Sequence, residues 1–468
     1  MDAPQKITHV LNRLSLGIRP GDRAKAEQMG VENYIQHYIQ QQLNPSSLPE
    51  PNSLLVRLKA LPTLTLSAKQ LFEQYAVDNQ ADADTQQAMR QRQAQIFQEA
   101  MQARFLRAIE SPRQLQEVMV DFWFNHFNVS ENKGLTKLWT SNYEQVAIRP
   151  HVLGKFRDLL MATAKHPAML VYLDNWRNTD PNSPQAKGGF RGLNENYARE
   201  LMELHTLGIN GGYSQADVES LTRIFTGWSV ITQQQPTADA SGFVFVRDRH
   251  DPSDKVLLGK KITGGGPDGG LREGEEALAL LAQHPATARH ISYKLAQYFV
   301  ADDPPEGLVS QLADRFIATD GDIKAVLLKL FESDAFWREA YYQRKFKTPY
   351  QYLLSIARAV GAVSPTEQDL TRIYGFMNQL GMPLYRCQMP NGYAQVEGPW
   401  LNPDAMMRRV SLAIATVNHR PPENKPDPPA LQATLGNQLS AETRAIVNDA
   451  PMHLRSALMM GSPDMMYR

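Results

Sequence analysis

The chain of 468 residues contains a single cysteine, Cys387. That excludes an intrachain disulfide framework and any zinc or iron–sulfur centre built from several cysteines of one chain. No uninterrupted apolar run of about 18 residues occurs, so no membrane-spanning helix is expected. Charge of neither sign is in excess, since 49 Lys and Arg meet 49 Asp and Glu. No electrostatic footprint for nucleic acid or an anionic membrane follows from such a balance. The motifs H-E-x-x-H and G-x-S-x-G are missing as well, which argues against the commonest zincin and α/β-hydrolase sites. The opening "MDAPQKITHVLNRLSLG" lacks the basic segment, apolar run and small-residue cleavage site of a secretory signal. The expected protein is therefore cytoplasmic, or the mature form of a periplasmic or otherwise exported protein whose signal has been removed.

What the sequence does carry is helical periodicity. Apolar residues recur at spacings of three and four over 21–42, 67–110, 112–128, 137–165, 194–208, 215–228, 273–300, 306–336, 348–361 and 404–417. The expected fold is mainly α, a multi-helix array with one small β-hairpin or loop insertion near 242–262. Two β-leaning runs, Phe243 to Val246 and Lys255 to Leu258, flank the turn-rich "RDRHDPSD". The following "TGGGPDGG" has no GK[ST] after it, so it reads as a flexible connection rather than a phosphate loop. A single helical domain is expected over 1–420, with the insertion at 240–270 and an aromatic loop at 380–403. Tyr385, Tyr393 and Trp400 should hold that loop in order. Residues 421–468 read as a Pro-rich linker and a Met-rich tail that docks, frays or meets another chain.

The chemistry concentrates in "NENYARELMELHTLGINGGYS". At about 100° per residue, Glu195, Asn196, Arg199, Glu200, Glu203 and Thr206 share one helix face. Tyr197, Ala198, Leu201, Met202 and Leu204 share the other, and His205 falls with them. Asn194 is a candidate N-cap and Gly208 a candidate stop. A structural reading makes the acidic side a solvated face, with Glu195 and Arg199 paired one turn apart and His205 a satisfied core histidine. A functional reading lets Glu200 and Glu203 converge on a divalent metal or a reacting proton. In "RQLQEVMVDFWFNHFNVS", Leu115, Met119, Phe122 and His126 form one stripe, which points His126 into the core. Imidazole with carboxylate suits zinc, iron, manganese or general acid–base work. Two weaker clusters are Asp174 with Asn175, and His250, Asp251, Asp254 and Lys255. Both read first as turn chemistry and second as site or hard-cation contacts.

Several blocks together resemble a known family. They are "LNRLSLGIRPGD", "DFWFNHFNVS", "HPAMLVYLDN", "NENYARELMELHTLGINGGYSQADVESLTRIFTGW", "HDPSDKVLLGKKI", "HPATARHISYKLAQYFVADDPP", "FKTPYQYLLSIARAVG" and "PNGYAQVEGPWLNPDAMMRR". In this order, from about residue 7 to about residue 417, they are similar to the bacterial family catalogued as domain of unknown function 1800. The resemblance implies a largely helical protein, often exported and often encoded beside a partner resembling sulfatases and alkaline phosphatases; it implies no particular reaction. The family's acidic-helix block maps onto Asn194, Glu195, Asn196, Arg199, Glu200, Glu203, His205 and Gly208, its aromatic-histidine block onto Trp123, Asn125 and His126, and its lysine-proline block onto Lys347 and Pro349. Many members carry glutamate after that proline, where this chain has Tyr350.

The leading expectation is a hydrolase-type enzyme, metal-dependent or acid–base, with its site between the 112–128 and 194–208 helices. Glu200 and Glu203 would be ligands or an acid–base pair, His126 and His205 ligands or proton carriers, and Arg199 an anion clamp. Because Glu203 and His205 point apart on a regular helix, both can serve one small site only if the helix ends or distorts near His205. The rival expectation is a non-enzymatic binding or assembly partner of an exported sulfatase- or phosphatase-like protein. In it Glu195, Arg199 and Glu203 lock helices together and Tyr385, Tyr393 and Trp400 form the recognition surface.

Overall fold

The computed structural model describes residues 1–77, 81–233, 238–266, 268–361, 365–418 and 425–468. Residues 420–424 of the Pro-rich segment and Pro267 of the glycine-rich connection lie outside the described residues. Helices dominate, and the strands among the described residues form two two-stranded antiparallel sheets. The long helix Ala83–Glu110 is the spine. It contacts the helices Asn52–Lys59, Gln114–His126, Thr136–Tyr143, Pro349–Ala359 and Glu367–Gln379. Three tryptophans, Trp123, Trp139 and Trp228, are fully buried in the apolar interior around it.

Local chemistry sets many of the helix starts. Ser214 with Asp217 and Thr348 with Gln351 each close a capping box, so two backbone N–H groups per helix end are satisfied. The tripeptide His-Pro-Ala starts helices twice, at His166 and His284. In both, imidazole Nδ1 accepts the N–H two residues on at 3.2 Å, and proline supplies the first helical residue. An acceptor Nδ1 requires a neutral ring here. Burial holds both histidines below their usual pKa, His166 at about 3, which is consistent with that role.

The insertion departs from the expected pairing. Phe243–Phe245 does not pair with Lys255–Leu257. It pairs with Trp228–Val230, while Lys255–Leu257 folds back on Lys260–Ile262. The reason is local: Leu258 and Gly259 both have positive φ, 50° and 75°, so a two-residue turn closes the second pair on itself. The His250 cluster anchors this insertion. His250 Nε2 lies 3.0 Å from Glu273 Oε1, Lys255 Nζ donates to Glu273 Oε2 at 2.7 Å, and the Gly265 N–H donates to Glu273 Oε1 at 2.8 Å. Asp251 accepts from Ser253 and from Arg223. These polar groups are committed to one another, which is the turn-chemistry reading.

At the other end of the chain, the Met-rich segment docks. Met459, Met460, Met465 and Met466 are buried, and the Lys347 N–H donates to the Met466 carbonyl. The Lys347 ammonium donates to the Met465 carbonyl at 2.9 Å and to Ser355 Oγ at 3.1 Å. The aromatic loop also folds inward. Tyr385 and Trp400 are buried, and Asn125 clamps Tyr393 through both of its backbone polar groups.

Candidate functional site

The acidic segment forms an α-helix only over Asn196–Glu200. From Leu201 to His205 it widens into a π-helix, and Thr206 breaks it at φ −131°, ψ −90°. The distortion that a shared site would need is therefore present. A wider turn shifts the ladder from i→i+4 to i→i+5 and leaves carbonyls at its end without helical partners. Two histidines from other helices take them. His126 Nε2 donates to the His205 carbonyl at 3.1 Å, and His290 Nε2, from the helix Pro285–Phe299, donates to the Leu204 carbonyl at 3.1 Å. These bonds make both rings Nε2–H tautomers. Gly208 follows at φ 82°, where a Cβ would come within 3.0 Å of His290 Nδ1. The glycine stop is thus conformational and steric together. Asn194, the expected cap, lies one residue before the observed N-cap Glu195 and acts through an Asx turn to the Asn196 N–H at 3.1 Å.

His205 itself is only 1% exposed, with its ring 5.1 Å from Phe127 and 6.0 Å from His126, and among the described residues its Nε2 finds no partner. Burial, then the His290 charge, lowers its pKa to about 3. Burial, then the neighbouring His205, His290 and Lys294, hold His126 well below its usual value. The stripe Leu115, Met119, Phe122 and His126 is wholly buried, as its spacing indicated.

Glu200 and Glu203 lie in a different electrostatic neighbourhood. Burial and then the Glu203 charge raise the Glu200 pKa, with Arg199 opposing. Glu203 accepts a hydrogen bond from Tyr213, whose own pKa rises to about 12 through burial and then that contact. Arg199 is not a free anion clamp. It sits 2.9 Å from Glu195, 3.5 Å from Glu203 and 2.9 Å from Gln215 Oε1, which ties this segment to the helix Gln215–Ile224. Glu200 also acts on Tyr172, whose hydroxyl donates to the Gln388 carbonyl at 2.7 Å. Lys133 lies over the Tyr172 ring and pairs with Asp174 at 2.6 Å. Asp174 holds a left-handed φ of 63°, whereas Asn175 is spent on the Phe225 and Trp228 carbonyls.

The four candidate metal ligands, Glu200, Glu203, His126 and His205, are therefore not gathered around one point. Among the described residues no group of three or more His, Cys, Asp or Glu is arranged to hold a metal ion. The physical reason is that His126 spends Nε2 on a carbonyl and His205 lies behind it in the core. Glu200 and Glu203, by contrast, remain partly exposed.

Sequence reasoning missed a buried ion network. Arg104 Nη1 meets Glu144 at 2.6 Å and Nη2 meets Asp121 at 2.8 Å; Arg149 bridges Glu117 at 2.6 Å and Glu144 at 3.1 Å. The Tyr385 hydroxyl donates to Glu144 at 2.7 Å, and Arg104 Nε donates to the Tyr350 hydroxyl at 3.3 Å. Burial pushes the Glu144 carboxyl up, but Arg104 and Arg149 outweigh it and hold the pKa at about 2. Tyr350 thus stands against Arg104, where a glutamate would instead bring a charge. Glu144 heads a second π-helical segment, Glu144–Ile148, so both π turns carry polar clusters.

Fold and site together define a mainly helical protein with two half-exposed carboxylates beside a histidine-clamped π turn. The chain belongs to the family described as Protein of unknown function (DUF1800), whose pattern covers residues 9–467. No curated protein and no solved structure matches it.

Proposed function

We propose that the protein is an acid–base enzyme of hydrolase type, with Glu200 and Glu203 as its working carboxylates. The observation that carries the reading is their asymmetry. One turn apart, Glu200 is pushed toward the protonated form by burial and by Glu203, while Glu203 takes a hydrogen bond from Tyr213 and lies 3.5 Å from Arg199. Two carboxyl groups whose environments differ in this way divide into an acid and a base. Tyr172, Lys133 and Asp174 supply further polar groups near Glu200 for orienting a substrate. His126 and His290 are positioning residues in this scheme, because they fix the carbonyls that end the segment. A divalent metal on this pair would need donors from the substrate or solvent, since the histidines face elsewhere.

The test is a screen of p-nitrophenyl esters, phosphates and glycosides with wild type, Glu200→Gln and Glu203→Gln. Turnover by wild type that both variants lose, with folding intact, supports the assignment. Turnover that survives Glu200→Gln, or a Glu200 carboxyl that titrates by NMR at the ordinary value of about 4.3, overturns it.

One observation favours the second reading, a binding partner of an exported sulfatase- or alkaline-phosphatase-like protein. An apolar groove of about 450 Å³ is lined by Val410, Ile414, Ile446, Leu454 and Leu458. Each of these side chains is well exposed. A patch of this kind suits the apolar face of a partner helix. It replaces the aromatic loop as the interaction surface, because Tyr385 and Trp400 are buried. Co-purification of such a partner that Ile414→Asp leaves intact would count against this groove.

A further inference from the structure

A separate polar cavity of about 590 Å³ lies between the helices Asp22–Met29 and Val31–Leu43 and reaches Ser111 and Arg358. Neither Glu200 nor Glu203 lines it. Arg19, Lys25 and Arg358 line it against one carboxylate, Asp22, with His37 and Tyr38 beside them. Tyr34 and Tyr38, whose rings stack near-parallel at 5.7 Å and 14°, form its aromatic side.

Arg358 is the unusual member. It is 3% exposed, yet among the described residues its guanidinium donates to backbone carbonyls and to no carboxylate. Nε donates to the Gly17 carbonyl at 2.8 Å, and Nη1 donates to the Ile109 carbonyl at 3.0 Å and the Ala108 carbonyl at 3.4 Å. These bonds have a structural purpose, because Ala108 and Ile109 end the 83–110 helix and their carbonyls lack helical partners. They leave Nη2 without a described protein acceptor in a residue that lines the cavity. Burial and then the Arg19 charge pull the Arg358 pKa down to about 9, the sign of a cation short of negative charge. Asp22 does not supply it fully, since its Oδ2 accepts the Arg19 N–H at 2.9 Å.

We propose that this cavity binds a small ring-bearing oxyanion, a carboxylate or a phosphate ester. Its anionic group is taken by Arg358 and Arg19, its ring lies along the aromatic side, and Lys25 guards the mouth. Planar guanidinium groups match the geometry of both oxyanions, and a bond to a charged acceptor is about twice as strong as a neutral one.

Calorimetric titration of the full chain with phenyl phosphate, benzoate and neutral phenol tests the proposal. Saturable millimolar binding of either anion, with phenol inert, is the expected result. Preference for phenyl phosphate identifies a phosphate ester as the class, and preference for benzoate identifies a carboxylate. Because Arg358 also caps a helix, the variant to use is Arg19→Gln with Lys25→Gln, both nearer solvent, and it should weaken binding by about tenfold, equivalent to about 1.4 kcal/mol. Phenol binding as tightly as the anions, no anion binding, or an unchanged affinity in the double variant overturns the proposal. None of these outcomes depends on Glu200 or Glu203.

Discussion

Replacing His205 by leucine should cost little at neutral pH and should make the protein more resistant to acid. The buried ring has an unpartnered Nε2, and leaving a buried polar atom unsatisfied costs about 1–3 kcal/mol. Leucine removes that atom while keeping apolar bulk beside Phe127, so stability at about pH 7.5 should change by no more than about 1 kcal/mol. The pH dependence has a definite sign. The unfolded histidine takes a proton near pH 6.5, whereas the folded one resists until about 3. Below 6.5 the unfolded state binds more protons. The contribution is therefore fully present above that pH and is lost progressively as pH falls toward 3. Between about pH 7.5 and about pH 5 the loss amounts to about 2 kcal/mol for this one ring. Urea unfolding of both proteins across that range measures it. The variant should gain about 2 kcal/mol relative to wild type by about pH 5. Parallel stability curves, or an NMR titration of His205 near 6.5, would refute the burial argument.

Arg104→Met should be costly, by about 3–5 kcal/mol, because it strands buried Asp121 and removes one of two cations from Glu144. A urea midpoint that moves by the equivalent of less than about 1 kcal/mol would show the network to be dispensable. Gly208→Ala should destabilise by about 1–2 kcal/mol from its left-handed φ alone, with the contact to His290 adding to it. Thermal melting of that variant alongside Gly212→Ala, which has the same positive φ but open space around it, separates strain from crowding.

The helical character and the inward direction of His126 were legible because both follow from spacing along one segment. The stripe through Leu115, Met119 and Phe122 is buried as read. The division of the acidic segment was legible only as far as Glu200, since a fixed 100° step cannot register a π turn. His290 escaped notice because nothing beside it in sequence marks it as a cap for the Leu204 carbonyl, 86 positions away. Arg104, Asp121 and Glu144 were invisible for a related reason: each is an ordinary charged residue on its own helix, and only packing brings them together. Strand pairing failed through turn chemistry, as the positive φ at Leu258 is unusual for a branched residue.

The wide turn from Leu201 to His205 has a consequence for how this stretch tolerates change. A ladder that skips one residue further per bond is equivalent to an α-helix carrying a one-residue insertion. Deleting a single residue such as Met202 would restore ordinary winding. The residues after it would keep their phase relative to Glu200, because the wide turn takes up one extra residue without turning the rest. Point substitutions test individual groups here, whereas removing one residue tests the wide turn itself, with the carboxylates and histidines beside it still present.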